Sequence, residues 1–150
     1  MLHPALAARP SPIHGTGLFA REALPAGTIL WRFSPATSRR FRPGEDPLWT
    51  AFQDPSGGLW ICTDDARFWN HSCEPNAAPR NDLDVALRPL AAGEEVTYDY
   101  GLFWPAAAPP FVCACGRERC RGTILRALPD SEVVRLLSEL ARRAGETRQG

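Results

Sequence analysis

Apolar and polar residues alternate in short runs along most of this chain, and the runs are separated by Gly- and Pro-containing turns. Such period-two runs, bounded by turn formers, are strand patterning. "TILWRF" (Thr28 to Phe33) follows the turn "PAG" and reads as a β-rich strand. "GLWICT" reads as a buried strand, and "DVALRPL" as another, ended by the turn "AAGEE". "EVTYDY" predicts a strand alternating Val96, Tyr98 and Tyr100 against Thr97 and Asp99. "IHGTGLFA" sets two glycines among apolar residues, a turn joining short strands. Residues 1–12, with Pro4, Pro10 and Pro12, read as an irregular or extended lead-in. "DPLWTAF", inside the Pro-, Arg- and Asp-rich stretch 34–58, reads as a short helical turn. The period changes near the end. In "PDSEVVRLLSELARRAG", Val133, Leu137, Leu140 and Ala144 share a helical face, with Asp130 or Ser131 as cap and Gly145 as stop. That helix would pack on the body of the domain.

Composition narrows the picture. The chain has 150 residues, 44% hydrophobic and 23% charged, enough for one folded domain with a sizeable core. Its 12 Gly and 15 Pro exceed average usage of about 12% but stay below the roughly 25–30% of disordered chains, so a loop-rich fold is expected. Formal net charge is zero, which does not fit a direct nucleic-acid binder. Arg39, Arg40 and Arg42 form a small basic cluster that fits a solvated loop as well as an acidic partner. No apolar run reaches the roughly 20 residues of a membrane span, and "MLHPALAARPSP" lacks the form of a signal peptide. A cytoplasmic protein is expected, from a bacterium by its Arg-, Ala- and Pro-rich composition. All 17 cationic side chains are Arg and none is Lys. A GC-rich genome accounts for that, and a functional reading follows below.

The five cysteines are Cys62, Cys73, Cys113, Cys115 and Cys120. An odd number without a secretion signal argues against a disulfide framework. The last three form C-x-C-x4-C, which can wrap one ion if Gly116 turns the chain. A structural zinc site wants four ligands. Cys62, in an apolar strand, reads as a small core residue. Cys73, in a polar turn, is the better fourth ligand. Cys73, Cys113, Cys115 and Cys120 are therefore read as one zinc site that pins the C-terminal segment beside Asn70 and His71. Free thiols in a reducing cytosol are the other reading.

Four segments then resemble one family. "SPIHGTGLFAREALPAGTIL" resembles the opening of a SET domain, the fold of protein-lysine methyltransferases. "RFWNHSCEPNAA" is similar to that family's R-F-x-N-H-S-C-x-P-N motif, and "AAGEEVTYDYG" to its G-E-E-L-T-x-D-Y strand. "CACGRERCRGTI" resembles the post-SET zinc segment. The resemblance runs from residue 9 to 126 in the family's order. It divides the chain into a SET domain at 9–102, a post-SET zinc segment at 103–126, and a C-terminal helix and tail at 127–150.

The resemblance implies a mainly β fold of small curved sheets, with the N-H-S-C segment threaded as a pseudoknot. It implies S-adenosylmethionine bound by His14, Gly15, Thr16, Gly17, Leu18, Asn70, His71 and Tyr100. It implies transfer of a methyl to lysine Nε of a protein or peptide, a histone or another protein. Tyr100 matches the catalytic tyrosine. Tyr98 matches the position where Tyr accompanies mono-methylation and Phe higher states. A chain without lysine would not methylate its own side chains, which is the functional reading of the missing Lys. Two departures stand out. Phe33 and Pro35 replace the Tyr and Gly of the family's E-Y-x-G, and Trp69 replaces a usually smaller residue before Asn70. A catalytically silent, zinc-stabilised protein-binding module is the alternative that Phe33 favours.

Overall fold

Apolar residues that come in four- and five-residue runs are buried most simply by pairing short strands. The computed structural model of the protein, which describes residues 1–42, 51–53, 59–80, 83–102 and 110–124, does this throughout. Its strands in chain order are β1 (Leu6–Pro10), β2 (Thr16–Ala20), β3 (Ile29–Arg32), β4 (Ser38–Arg40), β5 (Ala51–Gln53) and β6 (Leu59–Cys62). They continue with β7 (Asn70–His71), β8 (Ala77–Arg80), β9 (Leu83–Ala86), β10 (Glu95–Tyr98), β11 (Phe111–Val112) and β12 (Thr123–Ile124). Four small sheets result, ordered β1-β2-β10-β7, β3-β9-β8, β4-β6-β5 and β11-β12. Helix among the described residues is limited to the 3-10 turns Pro35–Thr37, Asp65–Phe68 and Tyr100–Leu102. No described helix is long and apolar enough to cross a membrane.

The expected mainly β architecture is thus present, with local corrections. The lead-in is not irregular throughout, because Leu6–Pro10 pairs with β2 in antiparallel register from Leu6↔Ala20 to Pro10↔Thr16. Pro10 is tolerated because β1 is the edge of its sheet. Ala51 and Phe52 of "DPLWTAF" are in β5, paired with β6, rather than in a helical turn. Strand β10 stops at Tyr98, and Tyr100 opens a 3-10 turn. Thr97 is buried like Val96 and Tyr98. The alternation fails there because both faces of β10 are buried. The C-terminal helix expected at 130–145 lies outside the described residues.

The core gathers Leu6, Ala20, Leu24, Leu30, Ala77, Ala86, Leu90, Val96 and Tyr98, with Trp69 and Tyr100 packed against it. Strand β7 runs parallel to β10, with Thr97 opposite Asn70 and Tyr98 opposite His71. The β8–β9 hairpin lies between them in the chain. This parallel contact carries Asn70 and His71 into the middle of the molecule, in keeping with the threaded segment. The fully buried Asn76 secures it. Its Oδ1 accepts from the Thr97 N–H at 2.8 Å, and its Nδ2 donates to the Glu95 carbonyl at 2.8 Å. The side-chain amide therefore serves β10 as a strand neighbour would.

Candidate active site and metal centre

The turn between β1 and β2 is the first wall of the site. Gly15 has φ +48°, a conformation that side chains resist. The Ser11 hydroxyl accepts from the Ile13 N–H at 3.0 Å and donates to the Glu95 carboxylate at 2.8 Å. Glu95 Oε1 also accepts from Asn70 Nδ2 at 2.8 Å. Asn70 Nδ2 further meets the carbonyls of His14 and Thr16 at 3.0 and 3.1 Å. Gly17 makes this junction possible, because a Cβ there would lie 2.1 Å from Glu95 Oε1.

Two cavities adjoin at this wall. One, of about 210 Å³, is lined by Ile13, His14, Asn70, His71, Tyr100 and the segment Phe111–Ala114. The other, of about 270 Å³, is lined by His14–Thr16, Arg67–Trp69, Asn70 and Tyr100. His14, Asn70 and Tyr100 border both. Of the cofactor and catalytic residues singled out from the sequence, Gly17, Leu18 and Tyr98 line neither of these cavities. Leu18 is fully buried, and Tyr98 belongs to the core.

Hydrogen bonds and ring contacts hold Tyr100. Its hydroxyl donates to the Trp69 carbonyl, and its N–H donates to His71 Nδ1 at 3.0 Å. Its ring centroid lies 6.0 Å from that of Phe111. Burial, with the nearby Glu95 charge, pushes the Tyr100 phenol up to about 12. Trp69 packs edge-on against Tyr98 with centroids 4.6 Å apart, so the large residue before Asn70 supports the aromatic wall. Burial, then the neighbouring Asp84 carboxylate, raises the Tyr98 phenol well above its ordinary value. Burial pushes Asp84 itself up to about 7. The Tyr98 hydroxyl and the Asp84 carboxyl are electrostatic neighbours outside hydrogen-bond geometry. Phe33 packs on Trp60, centroids 5.0 Å apart.

The sulfurs of Cys73, Cys113, Cys115 and Cys120 all lie within 4.8 Å of one another, with Cys73 and Cys113 at 3.8 Å. A tetrahedron with Zn–S bonds of about 2.3 Å places its sulfurs about 3.8 Å apart. Gly116 turns the chain between Cys115 and Cys120 with φ +64°. The N–H groups of Cys115, Arg121 and Gly122 point at Cys113, Cys73 and Cys120 sulfurs at 3.3–3.4 Å, which suits thiolates. The set fits zinc, a closed structural site that would supply cross-linking rather than chemistry. Cys62 stands apart from it. It is half-buried, and burial, with Asp64 and Asp84 nearby, pushes its thiol up to about 12.

Several participants escaped the sequence reading. Glu95 and Ser11 clamp the glycine turn. Arg121 ion-pairs with Asp99, while its N–H reaches Cys73. Gly101 leaves room for that pair, since a Cβ would lie 2.9 Å from Arg121 Nη1. "GEE" and "CRG" were visible as motif letters, but their partners are 84 and 22 residues away along the chain.

Small curved sheets, a parallel N-H-S-C segment and a four-cysteine clamp beside a tyrosine-lined site define a SET-type architecture. The SET domain family matches residues 15–101, and the chain belongs to it. Histone-lysine N-methyltransferase 2B of Homo sapiens is 33% identical over 133 residues, covering 74% of this chain and 5% of that protein. Histone-lysine N-methyltransferase trithorax of Drosophila virilis is 31% identical over 139 residues, covering 74% of this chain and 3% of its own length. The chain thus spans only a small part of these curated relatives. Among solved structures, KRYPTONITE in complex with mCHG DNA and SAH has a TM-score of 0.62 at 24% identity, covering 82% of this chain and 29% of that chain. KRYPTONITE with mCHH DNA, H3(1-15) peptide and SAH has the same TM-score at 23% identity, covering 82% and 30%. These two likenesses concern the fold.

Proposed function

We propose that this chain is an S-adenosylmethionine-dependent protein-lysine N-methyltransferase. The carrying observation is that Tyr100 borders two adjoining cavities, one roofed by the cysteine segment and one opening beside Arg67–Trp69. A two-substrate transfer needs such a junction. The relatives' names and the H3 peptide bound by a neighbour favour a peptide lysine, from a histone or another protein.

S-adenosylmethionine supplies a methyl on sulfonium sulfur for in-line displacement by the amine. The residues present fit it. Gly15 leaves open space where a side chain would stand, and Asn70 fixes the His14 and Thr16 carbonyls from behind. His14, Gly15, Thr16, Gly17, Leu18, Asn70, His71 and Tyr100 are assigned to this site. Leu18 and the His71 ring act through the frame, being packed or internally bonded.

The protein's contribution is alignment, worth roughly 7–11 kcal/mol in favourable cases. It must also favour a neutral amine, since about one lysine in 2,500 is neutral at pH 7. Apolar, aromatic walls disfavour the ammonium. Trp69, Tyr100 and Phe111 form such walls, with Tyr98 packed behind Trp69. The buried phenol of Tyr100 stays protonated and so stands beside the amine as a neutral dipole. Tyr98 matches the family position where Tyr accompanies mono-methylation, which favours a single methyl. This chemistry belongs in a reducing, cytoplasmic setting, where the five unpaired cysteines remain thiols or thiolates.

Calorimetry with S-adenosylhomocysteine and mass spectrometry of histone and lysate peptides test the reading. The zinc-loaded wild type should bind the ligand and add a single methyl, and Tyr100→Phe should bind it and add far less. If zinc-loaded wild type neither binds nor methylates, the silent module replaces the enzyme.

A further inference from the structure

We propose that His71 is a tautomer-locked strut between the metal-bound Cys73 sulfur and the main chain of Tyr100, so that metal loading helps set the position of Tyr100. A main-chain N–H only donates. His71 Nδ1, 3.0 Å from the Tyr100 nitrogen, must therefore offer its lone pair. In a neutral imidazole the proton then sits on Nε2. Nε2 lies 3.3 Å from Cys73 Sγ, within reach of an N–H···S hydrogen bond.

One imidazole thus spans from a zinc-ligand sulfur to the backbone of the tyrosine between the two cavities. It is 4% exposed, so bulk solvent has little access to the ring. The opposite tautomer would turn a proton toward Asp99 Oδ1, 3.8 Å from Nδ1, and would leave the Tyr100 N–H without its acceptor.

The metal enters through the sulfur. Cys73 Sγ also receives the Arg121 N–H at 3.3 Å, so two donors converge on one atom. A thiolate accepts two such bonds better than a thiol, because charge-assisted hydrogen bonds are the stronger ones. Metal binding holds Cys73 as a thiolate. The link is therefore strongest in the loaded protein and weakens when the metal leaves. Ring contacts run along the same line. The His71 ring lies 5.5 Å from Tyr100 and 5.8 Å from Phe111, the latter on the β11 strand of the cysteine segment. Partners that orient metal ligands commonly matter nearly as much as the ligands themselves. His71 is then a positioning residue. The consequence for turnover rests on the methyltransferase reading, but the strut can be tested without any turnover.

The test uses the full chain loaded with cadmium-113 in place of zinc, observed by nitrogen-15 NMR. The expected result is His71 protonated at Nε2 alone, with scalar coupling from cadmium across the hydrogen bond to that proton and to the Arg121 amide proton. Chelation should abolish the coupling and move the Tyr100 amide resonance. His71→Phe keeps a ring against Phe111 and Tyr100 but loses both nitrogens. With cadmium still bound, its Tyr100 amide should no longer respond to metal as in the wild type. Its kcat should fall about 10–100-fold, with peptide KM changed much less. A proton on Nδ1, no coupling from cadmium to the imidazole, or a Tyr100 amide in His71→Phe that follows the metal as before would overturn the strut. Should His71→Phe fail to fold, the wild-type tautomer and coupling decide alone. A wild type that shows the coupling yet methylates nothing removes the enzyme reading and leaves the strut standing.

Discussion

The two sides of the site are built by different means. The glycine turn and β2 are framed by strands. Strand β2 is paired with β1 on one side and β10 on the other, and Leu18 and Ala20 are fully buried. The cysteine segment 110–124 has two strands of two residues each. Of its residues only Cys115 and Ile124 are buried, while Val112 is 83% exposed. The first wall derives its geometry from main-chain ladders and apolar burial. The second has too little of either and relies on four sulfurs, the Arg121–Asp99 pair and the Arg119 N–H to Glu74 contact at 3.3 Å. One site thus joins a wall that folds with the core to a wall that folds with its metal.

Removing the metal should break the comparison open most widely. Structural zinc contributes about 10–16 kcal/mol of apparent binding energy in small zinc-finger peptides. Chelation, or Cys73→Ser, should strip hydrogen-exchange protection from the Cys113 amide, which donates to the Gly122 carbonyl at 2.7 Å. Protection in β2 and β10 should persist. Simultaneous loss in both regions would show that the walls are one cooperative unit.

The next largest effect attacks the other wall. Gly17→Ala places a methyl where Glu95 Oε1 now sits, so Glu95 must leave Asn70 or Ser11. We expect a cost of about 1–3 kcal/mol in thermal unfolding, weaker S-adenosylhomocysteine binding and unchanged zinc content. Loss of zinc would contradict the division.

Asp84 tests the core beneath. Its carboxyl ordinarily titrates near 3.8, and burial raises it to about 7 in the folded protein. The folded state therefore holds the proton more tightly than the unfolded one. Stability from this group is fully present below the ordinary value and is lost as pH rises through about 7. Asp84→Asn should flatten that slope and raise stability at pH 8 by about 1–3 kcal/mol, with the metal segment's exchange unaltered. Denaturant melts at pH 5 and pH 8 would show it, and an unchanged slope would exclude Asp84 as its source.

The smallest effect belongs to Arg121→Ala. The Arg121 side chain is 41% exposed, so its ion pair with Asp99 contributes about 1 kcal/mol or less. Faster exchange confined to 110–124 is expected, with the midpoint of global unfolding hardly moved.

Much of this frame could be read from local pattern, because local chemistry dictated it. Strands β3, β6 and β9 follow their apolar runs and turns. Gly116 turns where the ligand spacing requires a turn. Cys73 was separable from Cys62 by setting alone, one in a polar turn and one in an apolar strand. The misreadings have a shared cause in long-range pairing. Pro10 hid an edge strand, whose suitability for Pro depends on having no neighbour beyond it. Thr97 looked exposed because period two cannot reveal that both faces of β10 are covered. His71 was assigned to the cofactor through its motif, yet both ring nitrogens have internal partners. Glu95 bears on the site through Ser11, Asn70 and a glycine 78 positions earlier, relations that no window along the sequence contains.

Asn76 has a consequence for how the chain finds its topology. Its amide bridges the Glu95 carbonyl and the Thr97 N–H, and its Nδ2 also reaches Glu94 Oε1 at 3.0 Å. All three connections exist only when the threaded segment has arrived in one register. A slip by a single residue would turn every strand side chain to the wrong face. It would also strand a fully enclosed amide and two main-chain groups, each unpaired group costing about 1–3 kcal/mol. The side chain is therefore a checkpoint for threading. Chains that pass through the loop askew are penalised at one residue, before the site above it is complete.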